Sequence, residues 1–141
     1  PLDQPAWAGA NTSLGEELLR PSVIYAPAVL EVFAELDVHA AAHITGGGLP
    51  GNLARVIETN VAIRVDPTKW RTPEIFDRIA IEGPVSEGEM RKVFNLGIGM
   101  VLVVPSDQAN ETIEIVARHG HEAWVIGDVM AGTGQVGWSN E

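Results

Sequence analysis

Three consecutive glycines at positions 46–48, inside the run His43-Ile44-Thr45-Gly46-Gly47-Gly48-Leu49-Pro50-Gly51-Asn52-Leu53, most constrain this chain. No regular element runs through such a triplet, because glycine has the most backbone freedom to lose. The apolar stretch Ala40–Thr45 reads as a strand that must stop there. Pro50 is tolerated only in the first turn of a helix, so one is expected from about Pro50 to Ile57. Glycine reaches positive φ without strain and lets a ligand approach the backbone. Successive N–H groups in such a loop form an anion-binding concavity. No lysine comes after the glycines and the spacing is not G-x-G-x-x-G, so neither nucleotide-loop fingerprint is met. A tight turn without any ligand fits the same residues, and spacing does not choose between the two.

Around this loop the chain divides into short elements. Residues 1–13, with two prolines and polar spacers, read as an irregular arm, and residues 14–141 as one domain. Helices are expected at Leu14–Arg20, stopped by Pro21, and from Pro27 to Leu36 with Leu30, Phe33 and Leu36 as the buried stripe. Asn60–Asp66 alternates as a half-buried strand does. A helix over Pro73–Ile81 has Thr72 as its cap. Ser86-Glu87-Gly88-Glu89 has capping-box spacing and opens another helix. Ile98–Val104 is almost wholly apolar and predicts a buried central strand. Ser106 starts a helix whose face carries Ala109, Ile113, Val116 and Ala117, closed by Gly120. Strands at Ala123–Val129 and Gln135–Trp138 complete the order. The expectation is an α/β or α+β layered domain with a mixed sheet.

Nine basic against nineteen acidic side chains leave a net charge of −10. That disfavours a nucleic-acid binder and adsorption to an anionic membrane. With no cysteine, disulfides and thiolate metal sites are excluded. No apolar run is long enough to span a bilayer, and a cytoplasmic protein is expected. An initial Pro1 in place of Met suggests a piece of a longer protein. Any phosphate site must be local, built from backbone N–H groups and one or two side chains.

The candidate site gathers on the glycine loop. His43 is placed to donate to a phosphate or relay a proton near neutral pH; a strand histidine bonded to a carbonyl fits equally well. Thr45, Gly46, Gly47 and Gly48 are the candidate phosphate seat. Asn52 either reaches the same ligand or caps the helix. Arg20 either clamps an anion or is a solvated helix-end charge. His39, His43 and Asp37 lack the spacing of a metal site, and none is assigned. His119 and His121 read as complements to a helix dipole. Asn95-Leu96-Gly97-Ile98-Gly99-Met100 is a second glycine-bearing entry into a strand, suited to close packing or ligand approach.

Taken together, Leu18-Leu19-Arg20-Pro21-Ser22-Val23-Ile24-Tyr25, Asp37-Val38-His39-Ala40, the HITGGGL run, Asn52-Leu53-Ala54-Arg55-Val56 and Val93-Phe94-Asn95-Leu96-Gly97-Ile98-Gly99-Met100 resemble the aminoimidazole ribonucleotide synthetases, or phosphoribosylformylglycinamidine cyclo-ligases, from about Leu14 to Gly127. The resemblance implies a three-layer α/β/α C-terminal domain, partly ferredoxin-like, with the glycine loop lining a cleft between domains. It implies an enzyme of purine biosynthesis that closes formylglycinamidine ribonucleotide to aminoimidazole ribonucleotide. ATP and Mg²⁺ would be handled mainly by an N-terminal domain outside this sequence, and the full-length protein would be a homodimer. This chain alone is then expected to be inactive. Gly47→Val is expected to weaken substrate binding while leaving the fold intact. Members often carry Cys where Leu96 stands, so that thiol has no obligatory role. Related ATP-dependent enzymes (formylglycinamidine ribonucleotide synthetase, selenophosphate synthetase, thiamine-monophosphate kinase) and a noncatalytic dimerisation module are the alternatives; the joint DVHA, HITGGGL and FNLGIGM segments favour the cyclo-ligase.

Overall fold

Five strands and six α-helices make up the computed structural model among its described residues, 2–139. Pro1 of the expected arm and the last two residues of the expected domain lie outside that range. The order is α1 (Leu14–Leu18), α2 (Ala26–Glu35), β1 (Ala40–His43), α3 (Gly48–Leu53), β2 (Val61–Val65), α4 (Glu74–Glu82), α5 (Glu87–Val93), β3 (Met100–Val103), α6 (Ala109–Arg118), β4 (Gly127–Ala131) and β5 (Val136–Trp138). The class is α/β, with both antiparallel and parallel pairing. β1 and β3 form an antiparallel pair in which His43 lies opposite Met100. β2 is the centre of a second sheet, antiparallel to β4 and parallel to β5.

Local chemistry accounts for most boundaries. Ser13 and Glu16 form a reciprocal capping box on α1. The arm folds back on that helix, with Leu14 N–H donating to the Gln4 carbonyl (2.9 Å) and Gly15 N–H to that of Leu2 (2.8 Å). Ser86 Oγ accepts from Glu89 N–H at the start of α5 (3.3 Å). The cap of α4 is Pro73 rather than Thr72, one position later than the sequence suggests. Ser106 opens a single 3-10 turn that leads into α6 instead of capping it.

Three expectations about burial and position are corrected. The buried side of α2 is Ala28 and Val32, while Leu30 is 68% and Phe33 50% exposed. Small side chains let α2 approach α6 closely, and Glu31 and Glu35 on the same side reach Arg118 at 2.5 and 3.6 Å. A stripe at helical period exists, but positions 28, 31, 32 and 35 form it. Secondly, β3 is half-buried along its length, and β1 is its one strand neighbour among the described residues. A fully apolar strand needs both faces covered, and here they are covered only in part. Thirdly, the strand expected at Ala123–Val129 forms at Gly127–Ala131, where β2 offers its edge.

The core lies where the two sheets meet α3. Ala42, Ile44, Leu49, Leu53, Ile63, Val65, Trp70, Ile98 and Trp138 form one buried cluster. Ile44, Leu49 and Leu53 are each no more than 2% exposed, so the glycine loop is anchored on both sides by core residues.

Candidate functional site

Strand alternation sets the loop's two sides. Ala42 and Ile44 enter the core, whereas His43, Thr45 and Gly46 are exposed. The ladder continues past β1 through Ile44 N–H, which donates to the Gly99 carbonyl (2.9 Å). Gly48 N–H donates to the Thr45 carbonyl (3.1 Å) to tighten the turn. Among the described residues, the N–H groups of Gly46 and Gly47 have no backbone acceptor.

The three glycines have different reasons to be glycine. Gly47 has φ +102° and caps α3 in the left-handed region. Gly48 has φ +59°, and a Cβ there would collide with the Arg91 carbonyl oxygen of α5. Gly46 has neither constraint: its φ is outside the left-handed region and a Cβ added there would meet nothing within 4 Å beyond its chain neighbours. A side chain at 47 is therefore strained whatever the ligand. Gly47→Val would disturb the fold, contrary to the expectation from sequence, and Gly46 is the position that separates a ligand role from a structural one.

Asn52 braces the loop from within. It is 6% exposed, and its amide donates to the carbonyls of Gly48 (2.8 Å), Thr45 (3.2 Å) and Gly46 (3.4 Å). Its Oδ1 takes Thr45 Oγ1 at 3.5 Å and Arg55 Nη1 at 3.4 Å. Three loop carbonyls are thus bonded to this buried amide.

His43 has one prominent neighbour, Tyr25, whose ring centre lies 6.1 Å away at an edge-on angle of 60°. Tyr25 also meets His121 at 6.2 Å. Burial pushes the Tyr25 phenol above its ordinary value. Both glycines of the second glycine segment pack closely. Gly97 (φ +99°) lies against the Pro73 ring, and Gly99 lies under the Tyr25 hydroxyl. Leu96 (φ +52°) and Gly97 are the two central residues of a turn closed by Ile98 N–H donating to the Asn95 carbonyl (3.0 Å). The Leu96 carbonyl accepts from Trp70 Nε1–H (2.9 Å), a backbone role that does not call on the side chain at 96.

Other candidates lie elsewhere. Arg20 pairs with Glu17 at 2.9 Å, and among the described residues no hydrogen bond or ion pair joins it to the loop. His39 pairs with Asp37 at 3.2 Å. Among the described residues no group of three or more metal-ligating side chains is assembled. His119 reaches Glu31 of α2 at 2.5 Å, so it ties two helices together in addition to ending α6. Beside the loop runs a groove of about 300 Å³ lined by Gly47, Pro50, Gly51, Gly88, Arg91, Lys92 and Trp138. Arg91 stacks over Trp138 at 4.7 Å and pairs with Glu87 at 2.6 Å. The sequence alone reads Gly99 as suited to close packing or ligand approach but gives Tyr25 no role and does not pair the two, since nothing local announces that such distant segments touch.

The sequence profile of the AIR synthase related proteins, C-terminal domain, matches residues 3–139 and so covers the loop, Tyr25 and the second glycine segment together. The chain belongs to this family. The AIR synthase related domain is 44% identical over 129 residues to a phosphoribosylformylglycinamidine cyclo-ligase of Symbiobacterium thermophilum, covering 92% of the chain and 36% of that protein. A protein of the same name from Gloeothece citriformis is 43% identical over 125 residues, covering 88% and 36%. That of Synechococcus sp. RCC307 is 38% identical over 139 residues, covering 97% and 40%. The domain therefore spans no more than about two-fifths of the length of these relatives. None of its helices among the described residues is long and apolar enough to cross a membrane.

Proposed function

We propose that this chain is the C-terminal half of a phosphoribosylformylglycinamidine cyclo-ligase, acting on a small ribonucleotide as part of a cytoplasmic homodimer. The observation that carries the reading is the glycine loop, in which two N–H groups have no backbone acceptor among the described residues, in a chain whose curated relatives bear that enzyme's name. In the reaction, the γ-phosphoryl group of ATP passes to the formyl oxygen of formylglycinamidine ribonucleotide, releasing ADP. A substrate nitrogen then attacks the activated carbon, the C–O bond breaks, inorganic phosphate leaves and a proton is lost as the imidazole ring closes. ATP and Mg²⁺ are assigned mainly to the other half of the enzyme.

On this reading Gly46, Gly47 and Thr45 seat a substrate phosphate through N–H and hydroxyl donors, which need no net positive field. Gly48 and Asn52 hold the loop in shape. His43, exposed at the loop entrance, either stabilises charge on the activated oxygen or takes the ring-closure proton. Arg20 keeps an anion-clamping role only by exchanging Glu17 for the ligand.

The test uses the longer enzyme that contains this chain. His43→Ala is expected to lower kcat by roughly 10²–10⁴-fold, the usual size of a general acid–base contribution, with thermal stability unmoved because the side chain is exposed. A loss confined to KM would make His43 a binding group. Unchanged kcat and KM would leave it a strand histidine. The present chain, assayed alone, is expected to form no product.

A further inference from the structure

Three segments far apart in sequence meet at Tyr25. It directly precedes α2; its ring edge meets His43 at the end of β1; its hydroxyl covers Gly99 just before β3. Among the described residues, the His43 imidazole has no hydrogen bond or ion pair. An exposed side chain without polar partners samples several rotamers, whereas a working group must be held within about 0.5 Å of its productive place. The Tyr25 ring is the contact available to hold it. That hydroxyl has no hydrogen-bond partner among the described residues either, so the ring does the positioning. Gly99 is what lets the ring sit there: a Cβ at 99 would overlap the hydroxyl and come within 2.7 Å of the ring carbon bearing it.

We propose that Tyr25 is a positioning residue for His43, and that Gly99 is glycine in order to admit the Tyr25 ring. The first part rests on the role given to His43 above; the second is independent of it.

The contact is testable in this chain by NMR. In the parent, nuclear Overhauser effects should join the Tyr25 and His43 ring protons, and the His43 ring signals should carry a ring-current shift. Tyr25→Phe should keep both and Tyr25→Leu should abolish both. Gly99→Ala should reproduce the Leu result with both rings still present. If Gly99→Ala does not fold, Tyr25→Leu, which only removes atoms, decides the question. In the longer enzyme, Tyr25→Leu should lower kcat by roughly 10²-fold, the scale of a misplacement of about 1 Å, with KM little changed and Tyr25→Phe restoring the rate. Added to His43→Ala, it should cost no more, since the two act as one unit. Unmoved His43 signals in a folded Tyr25→Leu chain overturn the proposal, as do additive kcat losses in the double variant. If the signals move as expected but the enzyme forms no aminoimidazole ribonucleotide, the contact stands and the functional reading of His43 falls.

Discussion

Around the glycine loop, apolar side chains are inside and three carbonyls are paired: Ile44, Leu49 and Leu53 are at most 2% exposed, and Asn52 bonds the carbonyls of Thr45, Gly46 and Gly48. Between α1 and α2 and on the outer side of α2 the larger apolar side chains are outside, with Leu19 83%, Ile24 74% and Leu30 68% exposed. Both regions have patterned sequences, yet only one pattern describes its burial. The loop is flanked by residues that the chain's own core covers. The α2 seam is set by an interhelical meeting of small residues and ion pairs, and larger apolar side chains are left facing away. Periodicity identifies an element; what packs against it decides which face is buried.

The difference can be broken by substitution. Leu53→Ala should cost about 2–5 kcal/mol, the range for emptying a buried leucine site, read from denaturant unfolding. A near-neutral result would mean that the loop's anchor is not part of the core. Asn52→Ala should cost about 1–3 kcal/mol by leaving loop carbonyls unpaired, and hydrogen exchange should quicken at Gly48. If exchange there is unchanged, the amide does not brace the loop.

A smaller effect is expected where α2 meets α6. Hydrogen bonds from Arg118 and His119 hold the Glu31 carboxyl below its ordinary value of 4.5. A carboxyl with a lowered folded-state pKa adds stability above its unfolded pKa, and that contribution is lost as pH falls through the folded one. Parent stability should therefore decline as pH drops from about 4.5 downward, and Glu31→Gln should flatten that part of the profile. An unaltered profile would remove the ion pairs from the account of the seam. The smallest effect belongs to the outer face: Leu30→Ser should change stability of this chain by no more than about 0.5 kcal/mol. A loss as large as that of Leu53→Ala would return Leu30 to the core and restore the stripe read from periodicity.

Much of the fold is legible in the sequence because its signals are local. The glycine triplet stops β1, alternation marks β2, and Ser86 with Glu89 opens α5. The misreadings depend on partners distant in sequence. β4 forms four residues later than its apolar run begins, where it can pair with β2, and β3 reads as central yet has β1 as its strand neighbour. The site divides likewise. His43, Thr45 and the glycines stand together as their adjacency requires, but adjacency does not reveal that Asn52 faces inward or that Gly48 is pressed against α5. The part played by Tyr25 and Gly99 needs the β1–β3 pairing before it can be seen.

Gly46→Val in the longer enzyme asks whether the glycine loop seats a substrate phosphate through the N–H groups of Gly46 and Gly47. Position 46 is free of the packing and positive φ that fix its neighbours, so the fold should tolerate the change. The parent should form aminoimidazole ribonucleotide in an ATP-dependent reaction, and the variant should show a substrate KM raised roughly tenfold or more, equivalent to at least about 1.4 kcal/mol of lost binding, with an unshifted unfolding midpoint. An unchanged KM in a folded, active variant would contradict that role and leave the loop a bare turn between β1 and α3.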